Sequence, residues 1–194
     1  MTATATPSTN PELRPGRTWV KVLLAVLLVL TASMWVYYFF FASEQGVYQL
    51  EDENWRLQAK PICQAAQDER AKLEDTSGGY ITNPTPEQMA QRADIVDEAT
   101  DIVEQMLNDI VAIPVAGEKD QIRMQVFEEN YRIILEDRRR YTASLRAGDL
   151  VPYTETVVGG GPVSNVVTDF TAGVKGNDVP ECSPPGELGG DIKV

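Results

Sequence analysis

Five carboxylates, Asp94, Asp97, Glu98, Asp101 and Glu104, fall within eleven consecutive residues, mostly at three- and four-residue steps. On a helix such steps place side chains on one face. Clustered oxygen ligands suit a hard divalent cation or a cationic ligand. The pattern lacks a looped Asp-x-Asp-x-Asp-Gly, and a straight helix rarely surrounds calcium with enough oxygens. A solvated helix face is therefore the plainer expectation. The second cluster is Arg138-Arg139-Arg140, directly after Glu136-Asp137. If their helix folds back antiparallel, these arginines should face Asp94 and Asp97. Exposed ion pairs contribute only about 0–1 kcal/mol each, so such pairing would orient more than stabilise. The alternative use of the three arginines is to bind an anionic partner.

Other chemistries are disfavoured by residue type. The chain contains no histidine, which removes the commonest general base and transition-metal ligand. Two cysteines alone do not complete a structural zinc site. Serine and threonine nucleophiles need a base, and no Ser-x-x-Lys motif is present. Gly159-Gly160-Gly161-Pro162 is not followed by Gly-Lys-Ser/Thr, so it reads as a hinge and not a phosphate loop. Paired carboxylates facing across a cleft, as in glycosidases, are the residual enzymatic option. The expectation is a protein that is not an enzyme, with no metal and no cofactor. A net charge of −12 also disfavours nucleic acid, whose binding needs basic surface.

The elements that must carry these residues begin with an apolar segment from Thr18 to Ala42, whose single charge is Lys21. About 20 apolar residues span a bilayer's hydrocarbon core. Trp19 at one end and Trp35, Tyr37 and Tyr38 toward the other match interfacial aromatic belts. Arg14, Arg17 and Lys21 stand on the N-terminal side against Glu12 alone, whereas Glu44, Glu51, Asp52 and Glu53 follow the segment. Positive residues stay cytoplasmic, so the N-terminus is expected inside and the rest outside. Thr31-Ala32-Ser33 resembles a signal-peptide cleavage site. The apolar run continues past it to Phe41, which favours an uncleaved anchor.

Three helices are predicted outside. The first runs from about Leu50 to Asp75, with Trp55, Ala59, Ile62, Ala66 and Leu73 on one face. Pro61 removes a donor and crowds the preceding turn, so a joint near residues 59–61 is expected. In the second, Thr85-Pro86-Glu87-Gln88 forms a capping box with proline at the first helical position. Met89, Val96, Val103 and Ile110 recur every seven residues, a seam for packing against another helix, and Pro114 ends it. The third runs from about Glu118 to Ala147, with Phe127, Tyr131, Ile134, Tyr141 and Leu145 as its seam. Arg138 interrupts that seam, and Gly148 suits a left-handed cap. The short connection predicts an αα-hairpin.

Beyond Gly148 the composition turns to Gly, Pro, Asp and Ser, which reads as irregular. One short helix is expected over 164–172, capped by Ser164 and apolar at Val166, Val167 and Phe170. The exported cysteines, Cys63 and Cys182, are expected to pair, since thiols in an oxidising exterior commonly do. Closing a loop of about 120 residues is worth roughly 4–5 kcal/mol in the chain-entropy model. A redox-active pair normally takes the Cys-x-x-Cys spacing, which is absent.

Lys60-Pro61-Ile62-Cys63, with Asp169-Phe170-Thr171-Ala172-Gly173 leading to Glu181-Cys182, resembles membrane-anchored or secreted helical proteins of high-GC Gram-positive bacteria. The resemblance implies a helical domain with a disulfide; it implies no activity and carries no functional residues across.

The chain is thus expected to be all-α. It divides into a disordered cytoplasmic tail (1–17), a transmembrane helix (18–42), a small extracytoplasmic three-helix bundle built on a long αα-hairpin (43–148), and an irregular tail (149–194). The expected role is a membrane-anchored interaction or accessory protein of the cell envelope. Its partners would be the lipid bilayer and another envelope or membrane protein. The alternative is a ligand- or cation-binding module using the acidic face.

Overall fold

The computed structural model describes residues 16–41, 48–73 and 83–186. It divides the chain into two compact units, meeting in sequence at Glu44 and Gln45. Most of the expected cytoplasmic tail lies outside the described residues, as does the end of the chain beyond Gly186.

The first unit contains α1, Gly16–Phe41. Its 21-residue span Thr18–Tyr38 is the one helix among the described residues long and apolar enough to cross a membrane. That length and composition suit a membrane anchor or a signal sequence. The two hydroxyls inside it are satisfied locally. Thr31 Oγ1 donates to the Leu27 carbonyl at 2.9 Å and Ser33 Oγ to that of Val29 at 2.6 Å. Neither would stand unbonded in hydrocarbon.

The second unit is mostly helical: α2, Glu53–Arg70; α3, Pro86–Val111; α4, Glu118–Ala147; and α5, Val163–Thr171. A two-residue antiparallel ladder, β1 (Val157–Val158) with β2 (Gly161–Pro162), precedes α5, and a 3-10 turn at Pro180–Cys182 follows it. The start of α3 carries the predicted capping box. Thr85 Oγ1 accepts from the Gln88 N–H, and Gln88 Oε1 accepts from the Thr85 N–H. At the end of α4, Gly148 has φ +85°, a conformation that side chains with a Cβ resist.

α3 and α4 lie side by side in opposite directions. Arg132 meets Asn108, Arg138 meets Thr100, and Arg146 meets Asp94. α2 packs against α3, and α5 packs against α4. At the centre of the main core Trp55 is fully buried. Its ring meets Phe127 and Phe170 edge-on, with centroids 6.4 and 5.7 Å away, while Phe127 stacks on Phe170 at 4.2 Å. Its indole N–H donates to the Ile110 carbonyl at 2.9 Å. Thus one of the last α3 carbonyls, which have no partner within the helix, is satisfied by the same residue that fills the core.

Two local expectations are overturned. Pro61 does not break its helix, because α2 runs through it. Pro61 and Leu57 are both exposed, so the Leu57 carbonyl left without a donor lies on the water side. The buried face is Trp55, Ala59, Cys63 and Ala66, with Ile62 half-buried and packed against the same core. Ser164 does not cap α5, which begins at Val163 without a side-chain cap; the Ser164 N–H donates instead to Glu155 Oε2.

The segment after Gly148 is more ordered than its composition suggests. Val163, Val167, Phe170, Val179 and Cys182 are all part of the main core. Asn177 explains how a Gly- and Asp-rich stretch packs there. Its amide donates to the carbonyls of Tyr48 and Phe170 and accepts from the Leu50 N–H at 2.8 Å. One buried side chain therefore satisfies three backbone groups.

Candidate functional site

The acidic strip on α3 is bridged to α4 by two arginines. Arg146 donates to Asp97 Oδ2 at 2.5 Å and to Asp94 Oδ1 at 2.7 Å. Arg139 donates to Asp101 Oδ1 at 2.8 Å and to Glu104 Oε2 at 2.5 Å. Thr142 Oγ1 donates to Asp97 Oδ1. Hydrogen bonding to Asp101, then to Glu104, raises the Arg139 pKa above its ordinary value. Asp94, then Asp97, do the same for Arg146. Four of the five carboxylates are thus turned to guanidinium groups, and Glu98 is exposed beside them. Among the described residues, no group of His, Cys, Asp or Glu is arranged to hold a metal ion.

The expected partnership of Arg138, Arg139 and Arg140 with Asp94 and Asp97 is not what forms. Successive helical residues point about 100° apart, so the three arginines diverge. Arg138 turns inward, is 1% exposed, and donates from Nε to Thr100 Oγ1 at 2.8 Å. Arg139 reaches Asp101 and Glu104, and Arg140 pairs with Asp137 on its own helix. Arg146 takes Asp94 and Asp97. A seven-residue repeat carries the true register: Arg132, Arg139 and Arg146 stand opposite Asn108, Asp101 and Asp94. That repeat is present in the sequence, hidden beside the more conspicuous arginine triplet.

Two buried carboxylates, not singled out by spacing, act as staples. Asp137 accepts from the Thr156 N–H at 2.6 Å and the Thr156 hydroxyl at 2.9 Å, fixing the strand that leads to β1. Asp120, in the first turn of α4, accepts from the N–H groups of Glu51 and Asp52 and from Arg123. No family model, curated protein or solved structure matches the chain. Both carboxylates are directed at backbone and guanidinium donors, the ordinary work of buried charge.

Cys63 and Cys182 stand at bonding distance, with sulfurs 2.01 Å apart and Cα atoms 4.9 Å apart. The bond joins the middle of α2 to the 3-10 turn, and Lys60 pairs with Glu181 beside it at 3.3 Å. Both cysteines are fully buried. A buried, bonded pair is chemically inert compared with a reactive cysteine, which needs exposure and a stabilised thiolate. The disulfide indicates an oxidising environment for this domain.

Proposed function

We propose that the chain is a non-enzymatic, single-pass membrane-anchored accessory protein of the cell envelope. In this reading α1 remains in the membrane with its N-terminus cytoplasmic, and the helical domain lies outside. α2, α3 and α4 act as a three-helix bundle built on the α3–α4 hairpin, and α5 and the disulfide close one side of it. The observation that carries the proposal is the combination of an apolar 21-residue span with a domain held by a buried disulfide. The buried charged groups support a scaffold more than a reactive centre, since Asp120, Asp137 and Arg138 bond to backbone and hydroxyl partners within the fold.

The partner expected is another envelope or membrane protein, met through the exposed helix faces. The test is affinity capture of the tagged full chain from detergent-solubilised native membranes. Co-purification of one membrane or envelope protein at fixed stoichiometry is expected. Repeated recovery of an isolated monomer contradicts the proposal. The alternative, cation binding by the α3 face, requires a cation to displace Arg139 and Arg146. Calorimetric titration with calcium and with a polyamine separates the two, and heat at millimolar ligand would favour the alternative.

A further inference from the structure

The junction of α2 and α3 is not closed on its outer side. An open groove of about 480 Å³ runs between the two helices. Its floor is Ile62, Ala66, Ile102 and Met106, and its rim carries Glu69, Asp101 and Asp109. Met106 and Ala66 are buried, Ile62 and Ile102 half-buried. Ala65 is exposed at the groove's edge, while Ala66 beside it is buried in the core that α2 shares with α3.

Charge selects what covers it. The lining contains three carboxylates and no lysine or arginine. Asp101 is already paired with Arg139 at 2.8 Å, so the rim charge left for a partner is that of Glu69 and Asp109. An apolar floor between acidic edges is the complement of a helix with an aliphatic stripe flanked by basic residues. Such helices lie in grooves through anchors spaced three, four and seven residues apart.

We propose that the α2–α3 groove docks an amphipathic, basic helix of a partner envelope protein. The aliphatic stripe would rest on Ile62, Ala66, Ile102 and Met106, and lysine or arginine would stand beside Glu69 and Asp109. This rests on the accessory-protein reading above and gives that reading a site.

The test has two arms. In the first, the full chain in detergent is titrated with a labelled synthetic helix bearing leucines on one face and lysines beside them. Saturable binding is expected, weakened about tenfold or more by Glu69→Lys with Asp109→Lys, as charge reversal at a contact surface predicts. Ala65→Trp, which fills the groove without altering charge, should weaken it comparably. Glu129→Lys with Glu136→Lys, on the exposed face of α4, should leave it unchanged. Equal losses from the groove and α4 charge variants would mean general acidic attraction and overturn the proposal, as would unchanged binding by Ala65→Trp. Retained helicity and an intact disulfide establish that each variant is folded.

In the second arm, a photoreactive residue replaces Ala65 or, separately, Gln125 in native membranes. A crosslink from Ala65 to a basic, helical segment of another envelope protein is expected. Crosslinks from Gln125 alone would overturn the groove but leave the accessory reading standing. An Ala65 crosslink to a second copy of this chain would overturn the proposed partner. Crosslinks from neither position, together with monomeric recovery from membranes, would remove both.

Discussion

The α3–α4 pair is held differently at its two ends. At one end, α2, α5 and the 3-10 turn close over it, and Trp55, Phe127 and Phe170 form a continuous aromatic cluster. A disulfide and the Asn177 amide bind the covering segments to one another. At the other end, a small separate cluster of Met89, Ala93, Val96, Tyr141 and Leu145 is covered by Tyr153. Arg139 and Arg146 bridge the helices there from outside. Area and covalent constraint dominate the first end; salt-screened charge contributes more at the second. Resistance to unfolding should therefore be concentrated around Trp55. Local opening should begin near Met89 and Leu145, as expected where few apolar contacts are made.

The largest loss of stability is expected at the aromatic centre. Trp55→Ala is expected to cost about 5 kcal/mol, the upper range for a buried tryptophan, because it also leaves the Ile110 carbonyl without its donor. Chemical denaturation of the full chain in detergent measures it. An equal loss from Tyr141→Ala would erase the distinction between the ends. Next is the paired substitution Cys63→Ser with Cys182→Ser, expected to cost about 3–4 kcal/mol by releasing a long loop in the unfolded chain. Hydrogen exchange should then accelerate in α5 before it does in α3. Asn177→Ala should follow at about 2 kcal/mol, since it removes the buried partner of several backbone groups. Faster exchange at the Leu50 amide would mark the cause.

The smallest effect belongs to the charged end. Arg139→Ala with Arg146→Ala should cost no more than about 1 kcal/mol per pair at low salt, and almost nothing at high salt. Hydrogen bonding to their carboxylate partners raises the pKa of both arginines above the ordinary guanidinium value. A group whose pKa is raised on folding contributes fully below its unfolded value, and loses that contribution only as pH rises through the folded value. Arginine titration therefore introduces no pH dependence anywhere below strongly alkaline conditions. A stability profile that changes between pH 7 and pH 10 in the parent chain, and not in this variant, would contradict that assignment.

The elements were legible wherever local chemistry decides them. Thr85, Pro86 and Gln88 announce the start of α3, and Gly148 the end of α4, because caps act within a few residues. What escaped the sequence is set by direction in space. Pro61 is tolerated because the carbonyl it orphans faces water, a fact that depends on which side of α2 is buried. The Gly- and Asp-rich stretch packs because Asn177 meets Tyr48 and Leu50, more than a hundred residues earlier. Composition carries no trace of such a partnership. The acidic and basic clusters were visible, but their pairing depends on helix register. The adjacent arginines 138–140 are conspicuous in the sequence, whereas the seven-residue repeat of Arg132, Arg139 and Arg146 fixes the contacts.

An anchored protein of this design holds its disulfide-bonded domain outside the cell. Intact cells bearing a C-terminally tagged full chain can be treated with a membrane-impermeant label, and their membranes then washed at alkaline pH. The tag should be labelled without lysis, and the chain should stay in the membrane pellet. A tag reached only after the cells are opened, or a shortened chain recovered from the medium, would contradict the account.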